Sequence, residues 1–387
     1  MIINRRHFIL STAGAGAAVT AGSTIALAAD GELPAYASFK DPDGLIIHTD
    51  RTMETRRGAQ GGSITALEDL FVRNNLPTPP ASVTDDPDAW TIAFEGVANP
   101  ATLSLGELKS YGVESVPAVL QCSGNGRAFF AHETSGTQWS VGAAGNVIWT
   151  GVPLRSVIAD LGGPVDSAKY LTGTGGEEIP QGLDPDTIQV ERSVPLAAIN
   201  TAILAYEVNG QPLPLAHGGP VRLVNPGYFG VNNVKYVNRV ALTEAQSTAK
   251  IQQSGYRLRE VGEGGAADQP SMWEMVVKSW ITRPLLNASG RVVIEGVAMG
   301  GVDPVKSVEV SLDGGETWKE APFTGPDLGR YAWRPFALVG DLQPGSYVVA
   351  SRATDENGNT QPESFPPNHR GYGHNGWRAH AIDLVIT

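Results

Sequence analysis

The sequence predicts a mixed α+β body followed by an immunoglobulin-like β-sandwich. Three features carry this. From Trp90 onward helical and strand segments are interspersed without regular βαβ alternation, which disfavours a doubly wound parallel sheet. Near Ser279 the character changes to short β-rich runs separated by Gly, Asp, Asn and Pro turns, the pattern of a sandwich. Within that stretch Ser311-Leu-Asp-Gly-Gly-Glu-Thr-Trp318 forms a single Asp box. A propeller needs repeated copies, so one copy reads as a structural turn whose aspartate binds its own backbone.

The elements follow in order. Arg5-Arg6, a mild apolar stretch and Ala26-Leu-Ala28 read as a twin-arginine export signal over 1–28, cleaved after Ala28, and so as a periplasmic protein. Residues 29–66 are rich in Gly, Asp and Thr and read as a surface arm. The α+β body is assigned to 67–278. Trp90–Gly96 alternates as a strand, and Ser104-Leu-Gly-Glu107 opens a short capped helix. Val152–Gly162 reads as a helix closed by glycine, and Ala202–Gly210 and Pro220–Asn225 as strands beside Asn-Gly and Pro-Gly turns. The sandwich occupies 279–387, with strands read at Val292–Ala298, Val308–Leu312, Tyr331–Phe336, Tyr347–Ala353 and His380–Ile386.

Composition narrows the partners. The net charge is −12, and loss of the leader with Arg5 and Arg6 makes it −14, which argues against nucleic acid and anionic membrane. Beyond the leader no apolar run is long enough to span a bilayer. With one cysteine the fold depends on its core, which 41% hydrophobic residues can supply.

That cysteine is Cys122. Pro117–Gln121 reads as a buried strand, and Ser123-Gly-Asn-Gly126 as a turn that leaves the sulfur at the strand's end. Arg127 follows, a cation that favours thiolate and attracts anions. On these residues alone an inert buried thiol and a ligand or nucleophile both stand. His369, His374 and His380 match no zinc spacing.

Several ordered blocks decide between them. They are Leu70-Phe-Val-Arg-Asn-Asn-Leu-Pro77, Gln121-Cys-Ser-Gly-Asn-Gly-Arg127, Gly142–Leu154, Glu191–Leu196, Tyr206–Pro214, His217-Gly-Gly-Pro-Val-Arg222 and Val234-Lys235. With the sandwich they resemble the sulfite oxidase family of molybdenum enzymes over roughly 67–387, most like a bacterial periplasmic sulfite dehydrogenase. The resemblance implies a molybdopterin-binding α+β fold with a dimerising sandwich. It implies one molybdenum cofactor per chain, with Cys122 as the metal's thiolate ligand, a donor suited to a soft centre. It places Asn74, Asn75, His217, Arg222 and Lys235 against the pterin and its phosphate. Arg73, Arg127, Arg370 and Tyr256 fall around the substrate, where guanidinium forks match an oxyanion.

The implied reaction is oxidation of sulfite to sulfate by a homodimer. One cysteine leaves no Cys-x-x-Cys-His haem site, so a separate c-type cytochrome is the expected acceptor. The family rival is a sulfane dehydrogenase subunit; from another class the rival is a non-catalytic exported binding protein. A sulfoxide-repair reductase lacks the sandwich, and a nitrate reductase would need flavin and haem domains. One position departs from the family pattern: Asn75 stands where many members have histidine and takes up no proton near neutral pH.

Overall fold

The computed structural model describes residues 7–10, 33–286 and 291–387. Arg5, Arg6 and Ala26–Ala28 of the expected leader lie outside them. Two five-stranded sheets build the body. One runs Gln211–Pro212, Ile203–Val208, Ala144–Pro153, Glu114–Gln121, all antiparallel, with Arg222–Val224 also paired to Ile203–Val208. The other runs Glu191–Pro195, Tyr170–Gly175, Val237–Thr243, Thr91–Glu95, Ala101–Ser104, with the Val237–Thr243 and Thr91–Glu95 pair parallel. One core cluster takes Ile92, Phe94, Leu171 and Val240 from the second sheet and Val152 and Leu204 from the first.

Local chemistry sets these elements. Ser104 accepts from the Glu107 amide while the Glu107 carboxylate accepts from the Ser104 amide, a capping box that starts Leu105–Leu108. Helix Leu154–Asp160 buries Leu154, Val157 and Ile158, one helical face, and stops before Gly162 at φ 87°. Asn209 (φ 52°) and Gly210 (φ 74°) turn the hairpin between Ile203–Val208 and Gln211–Pro212, both in the conformation a two-residue hairpin demands.

The sandwich pairs Lys278–Leu286, Val292–Met299 and Arg334–Gly340 in one sheet. Opposite lie Ile382–Ile386, Gly345–Asp355, Val305–Ser311 and Lys319–Glu320, with His7–Leu10 parallel to Ile382–Ile386. Ile281, Val292 and Ile294 meet Val308, Val310, Val349, Ile382 and Leu384 between the sheets. The Asp box is the expected turn: Asp313 accepts from the Thr317 amide at 2.9 Å and its hydroxyl at 2.5 Å.

Three expectations are corrected. The strand expected at Tyr331–Phe336 runs Arg334–Gly340, because Trp333 is buried against Trp280 and donates to Gly62 O at 3.0 Å. His380 ends the helical turn Trp377–His380, and the last strand begins at Ile382. The arm expected at 29–66 is not confined to the surface. Thr52–Thr55 is buried throughout, the middle strand between Leu45–Thr49 and Val72–Arg73. Its Glu54 carboxylate, 1% exposed, accepts from the amides of Ser140 (2.9 Å) and Gly142 (3.0 Å), so a polar strand is satisfied inside.

Candidate active site

Strand Glu114–Gln121 delivers the cysteine. It is in register with Ala144–Pro153 up to Gln121, and Cys122 N donates one residue further, to Ala143 O at 2.9 Å. There the chain turns: Asn125 N donates to Cys122 O and Arg127 N to Gly124 O, each at 2.9 Å. The Asn125 side chain locks the turn by donating to Gln121 Oε1 (3.0 Å) and accepting from Ala143 N (3.2 Å). Gly126 is required, since its φ is 98° and a Cβ would lie 2.9 Å from His374 Cβ. The sulfur is thus fixed at the end of an edge strand, buried but lining two cavities.

The first cavity, about 630 Å³, is a basic chamber. His217, Arg222 and Lys235 line it, all buried. Arg222 is braced by Nε to Asn233 O and Nη1 to His217 O, both 3.0 Å, and its guanidinium carbon lies 5.3 Å from the Trp149 ring. Lys235 donates to Asn74 Oδ1 at 2.5 Å and to Ala216 O. Lys40 approaches from the amino-terminal segment, its ammonium 2.7 Å from His217 Nε2. While Lys40 carries its proton it can only donate, so in that state Nε2 accepts and the ring proton sits on Nδ1.

Electrostatics show what the chamber lacks. Burial pushes Lys40 down to about 7 and Arg222 down to about 10. Burial and then neighbouring cations hold His217 and Lys235 well below their ordinary ranges. Glu177 is the one carboxylate among the described lining residues, and burial lifts it to about 7. Asn74 Nδ2, Ser123 Oγ and Glu177 Oε2 are buried there without a hydrogen-bond partner. Buried like charges and orphaned polar atoms fit an occupant that is anionic and rich in donors and acceptors, as a phosphate-bearing heterocycle is.

The second cavity, about 640 Å³, is a cleft over the same sulfur, with no carboxylate among its described lining residues. Arg73, Arg127 and Arg370 line it, joined by Arg51. Arg127 is held by Nε to Arg370 O (2.9 Å) and Nη1 to Thr137 O (2.7 Å). Arg73 comes from the strand paired with Thr52, and its Nη1 donates to Asn74 O. Arg51 donates to Asn75 O at 3.4 Å. Tyr256, at φ 51°, stacks on Tyr372 with centroids 5.1 Å apart and planes at 9°. Burial, then Tyr256, pushes the Tyr372 phenol up to about 12, so it stays protonated.

Every site residue singled out from sequence lines at least one cavity. Arg73, Asn74, Asn75, Cys122 and Tyr256 line both; Arg127 and Arg370 line the cleft; His217, Arg222 and Lys235 line the chamber. Sequence reasoning missed Lys40, Arg51, Glu177 and Tyr372. Only Tyr372 carried a local signal, between two glycines beside Arg370. His374 and His380 lie elsewhere, Nδ1 to Nε2 at 3.1 Å, and no group of three or more metal-ligating His, Cys, Asp or Glu exists among the described residues.

Comparison with known proteins places this geometry. The oxidoreductase molybdopterin-binding domain family matches residues 77–251, and the Mo-co oxidoreductase dimerisation domain family matches 269–384. Mitochondrial sulfite oxidase of Mus musculus is 33% identical over 352 residues, 84% of this chain and 62% of that one. The chain thus spans less than two thirds of that relative's length. Sulfite oxidase of Gallus gallus is 33% identical over 329 residues, 79% of this chain and 69% of that one. The crystal structure of the sulfane dehydrogenase SoxCD from Paracoccus pantotrophus superposes with a TM-score of 0.74 at 26% identity, covering 88% of each chain. With a molybdopterin-binding domain, a dimerisation domain and this likeness across both, the chain belongs to the sulfite oxidase family of molybdopterin oxidoreductases.

Proposed function

We propose that the chain oxidises sulfite to sulfate at a single molybdenum cofactor and passes the electrons to a separate c-type cytochrome in the periplasm. The observation that carries this is the convergence of Arg73, Arg127 and Arg370 on the cleft that shares Cys122 with the basic chamber. In this reading His217, Arg222 and Lys235 hold the cofactor phosphate. Asn74, Asn75, Ser123 and Glu177 meet its polar edge, and the Cys122 thiolate binds the metal. When bound, the cofactor supplies a two-electron acceptor and oxygen-transfer chemistry. Sulfite and water then give sulfate, two protons and two electrons.

The chain's own residues position and screen. The arginines offset the charge of the oxyanion and orient it by paired N–H donors; Arg127 is pre-set by two carbonyls and needs no reorganisation. Tyr256 offers a phenol to a substrate oxygen. Trp139 and Tyr372 wall the cleft with aromatic surface that limits water. One cysteine leaves no covalent c-type haem site within these residues, which supports a separate electron acceptor. The Arg5-Arg6 leader supports export, and the matched dimerisation domain supports a homodimer.

A second reading is oxidation of a protein-bound sulfane sulfur. The structural likeness to a sulfane dehydrogenase favours it, as does a cleft roomier than one small oxyanion needs. Sulfite-dependent reduction of ferricyanide, with molybdenum content verified near one per chain, separates the two. Turnover that disappears in Cys122→Ser establishes the sulfite reading. No turnover by the loaded wild type removes it and leaves the sulfane substrate.

A further inference from the structure

Cofactor and oxyanion chemistry account for Cys122 and the arginines, yet the cleft holds a second tyrosine that they do not require. Tyr372 lies between strand Gly345–Asp355 and the helical turn Trp377–His380, so it comes from the sandwich and not from the body that carries Cys122. Its loop is built to deliver it. Gly371 and Gly373 flank it at φ 61° and 72°, in the left-handed region that glycine tolerates. Asn368 closes the loop twice, Oδ1 accepting from Tyr372 N and Nδ2 donating to Tyr372 O, both at 2.9 Å. Gly373 N donates to Ser123 O at 2.8 Å, which ties the loop to the neighbour of Cys122. A Cβ at Gly371 would lie 2.8 Å from Arg127 Cγ, so the loop also packs on that arginine.

So placed, the ring is 3% exposed and meets two groups that face the substrate. It is stacked on Tyr256, and the Arg127 guanidinium carbon lies 5.5 Å from its centroid. Tyr256 sits in an irregular, positive-φ segment, so no helix or strand fixes its ring. Resting on the reading of the cleft as an oxyanion site, we propose that Tyr372 is a positioning residue that holds Tyr256 and Arg127 in place through its ring, not its hydroxyl. The negative face of the ring opposes the guanidinium, and the parallel stack restrains the tyrosine. Arg127 keeps its two carbonyl partners without the ring, so anion binding weakens and is not abolished.

The experiment compares wild type, Tyr372→Phe and Tyr372→Leu in molybdenum-loaded form. It measures KM and kcat for sulfite and, independently of turnover, the Kd for sulfate by calorimetry. Tyr372→Leu is expected to raise both KM and Kd about tenfold with kcat within about threefold, and Tyr372→Phe to match wild type within about twofold. Should the leucine variant not fold, Tyr372→Met removes the ring at similar volume and carries the same expectation. A folded leucine or methionine variant with unchanged sulfate affinity overturns the proposal. So does a phenylalanine variant as weak as the leucine one, because that assigns the effect to the hydroxyl. Sulfate binding lost with the ring, in a protein that never turns over sulfite, would sustain the positioning role and remove the substrate assignment. Sulfite turnover with ring-independent sulfate affinity would do the reverse.

Discussion

Lys278 opens the first sandwich strand, and replacing it with methionine should stabilise the protein at low pH and destabilise it at high pH. Its side chain is 1% exposed, and its ammonium donates to Asn125 O at 3.2 Å. The nearby titratable groups Arg57, His374 and His380 are all basic. Burial, then Arg57, lowers its pKa from 10.5 to about 7. The unfolded chain therefore keeps this proton up to about pH 10.5, and the folded chain only to about 7. Below pH 7 both states are protonated and the full penalty of burial is present. Between the two values the unfolded state binds more protons, so stability rises with pH. At 1.36 kcal/mol per pH unit the penalty at pH 6 is about 5 kcal/mol. Methionine removes it at similar volume but forfeits the hydrogen bond that the neutral amine also makes, worth about 1 kcal/mol. The net gain is about 4 kcal/mol at pH 6, vanishes near pH 10 and becomes a small loss above that. Thermal melts across pH 6–11 read this as a crossing of the two curves. After burial, the Lys278 charge is the next cause holding His374 and His380 below their ordinary range, so its removal relaxes both and adds to the gain at the acid end. A methionine variant that melts lower at pH 6, or by the same margin at every pH, would refute the reasoning. The Cys122 turn keeps the Asn125 bonds to Gln121 and Ala143, so sulfite turnover should survive.

Three further outcomes follow from the same geometry. Lys235→Met should lower cofactor content, measured as molybdenum per chain, while raising the melting temperature of the cofactor-free chain, because burial already opposes that charge. Glu54→Ala leaves the Ser140 and Gly142 amides buried without their acceptor and should cost about 3 kcal/mol in urea unfolding. Asn75→His introduces a titratable imidazole that the surrounding cations lower from its ordinary value, so the pH profile of kcat/KM should gain an inflection on the acid side absent from wild type.

What could be read from sequence was what neighbours in sequence decide. The Ser104–Glu107 capping box, the Asn209-Gly210 hairpin and the alternation of Ile382–Ile386 need no distant partner. The end of the strand before Cys122 was legible for the same reason, since turn residues follow it at once. Thr52–Thr55 was read as surface because its burial depends on Glu54 reaching amides more than eighty residues away. Trp333 displaced the expected strand because its pocket is made by Trp280 and the Gly62 carbonyl, both remote in sequence. Lys40 and Glu177 are single charges without spacing, and nothing local separates them from a solvated lysine or glutamate. Their meaning appears only when the fold puts one on His217 and the other among buried cations.

The distribution of charge carries the last step. The chain as a whole bears −12, yet the two cavities that share Cys122 hold nearly all of their charge as cations. Acidic surface cannot offset them, because opposite charge in high-dielectric water is screened within about 10 Å. Compensation has to come from what enters. The chamber and the cleft use largely separate sets of basic residues, His217, Arg222 and Lys235 in one and Arg51, Arg127 and Arg370 in the other, which suits two anions bound at once. Arg73, Asn74 and Asn75 line both, so a change there touches cofactor and substrate together. That is why Asn75→His is to be read by the shape of its pH profile and not by its rate. A lower rate could arise from either cavity, but a new inflection on the acid side belongs to the imidazole itself.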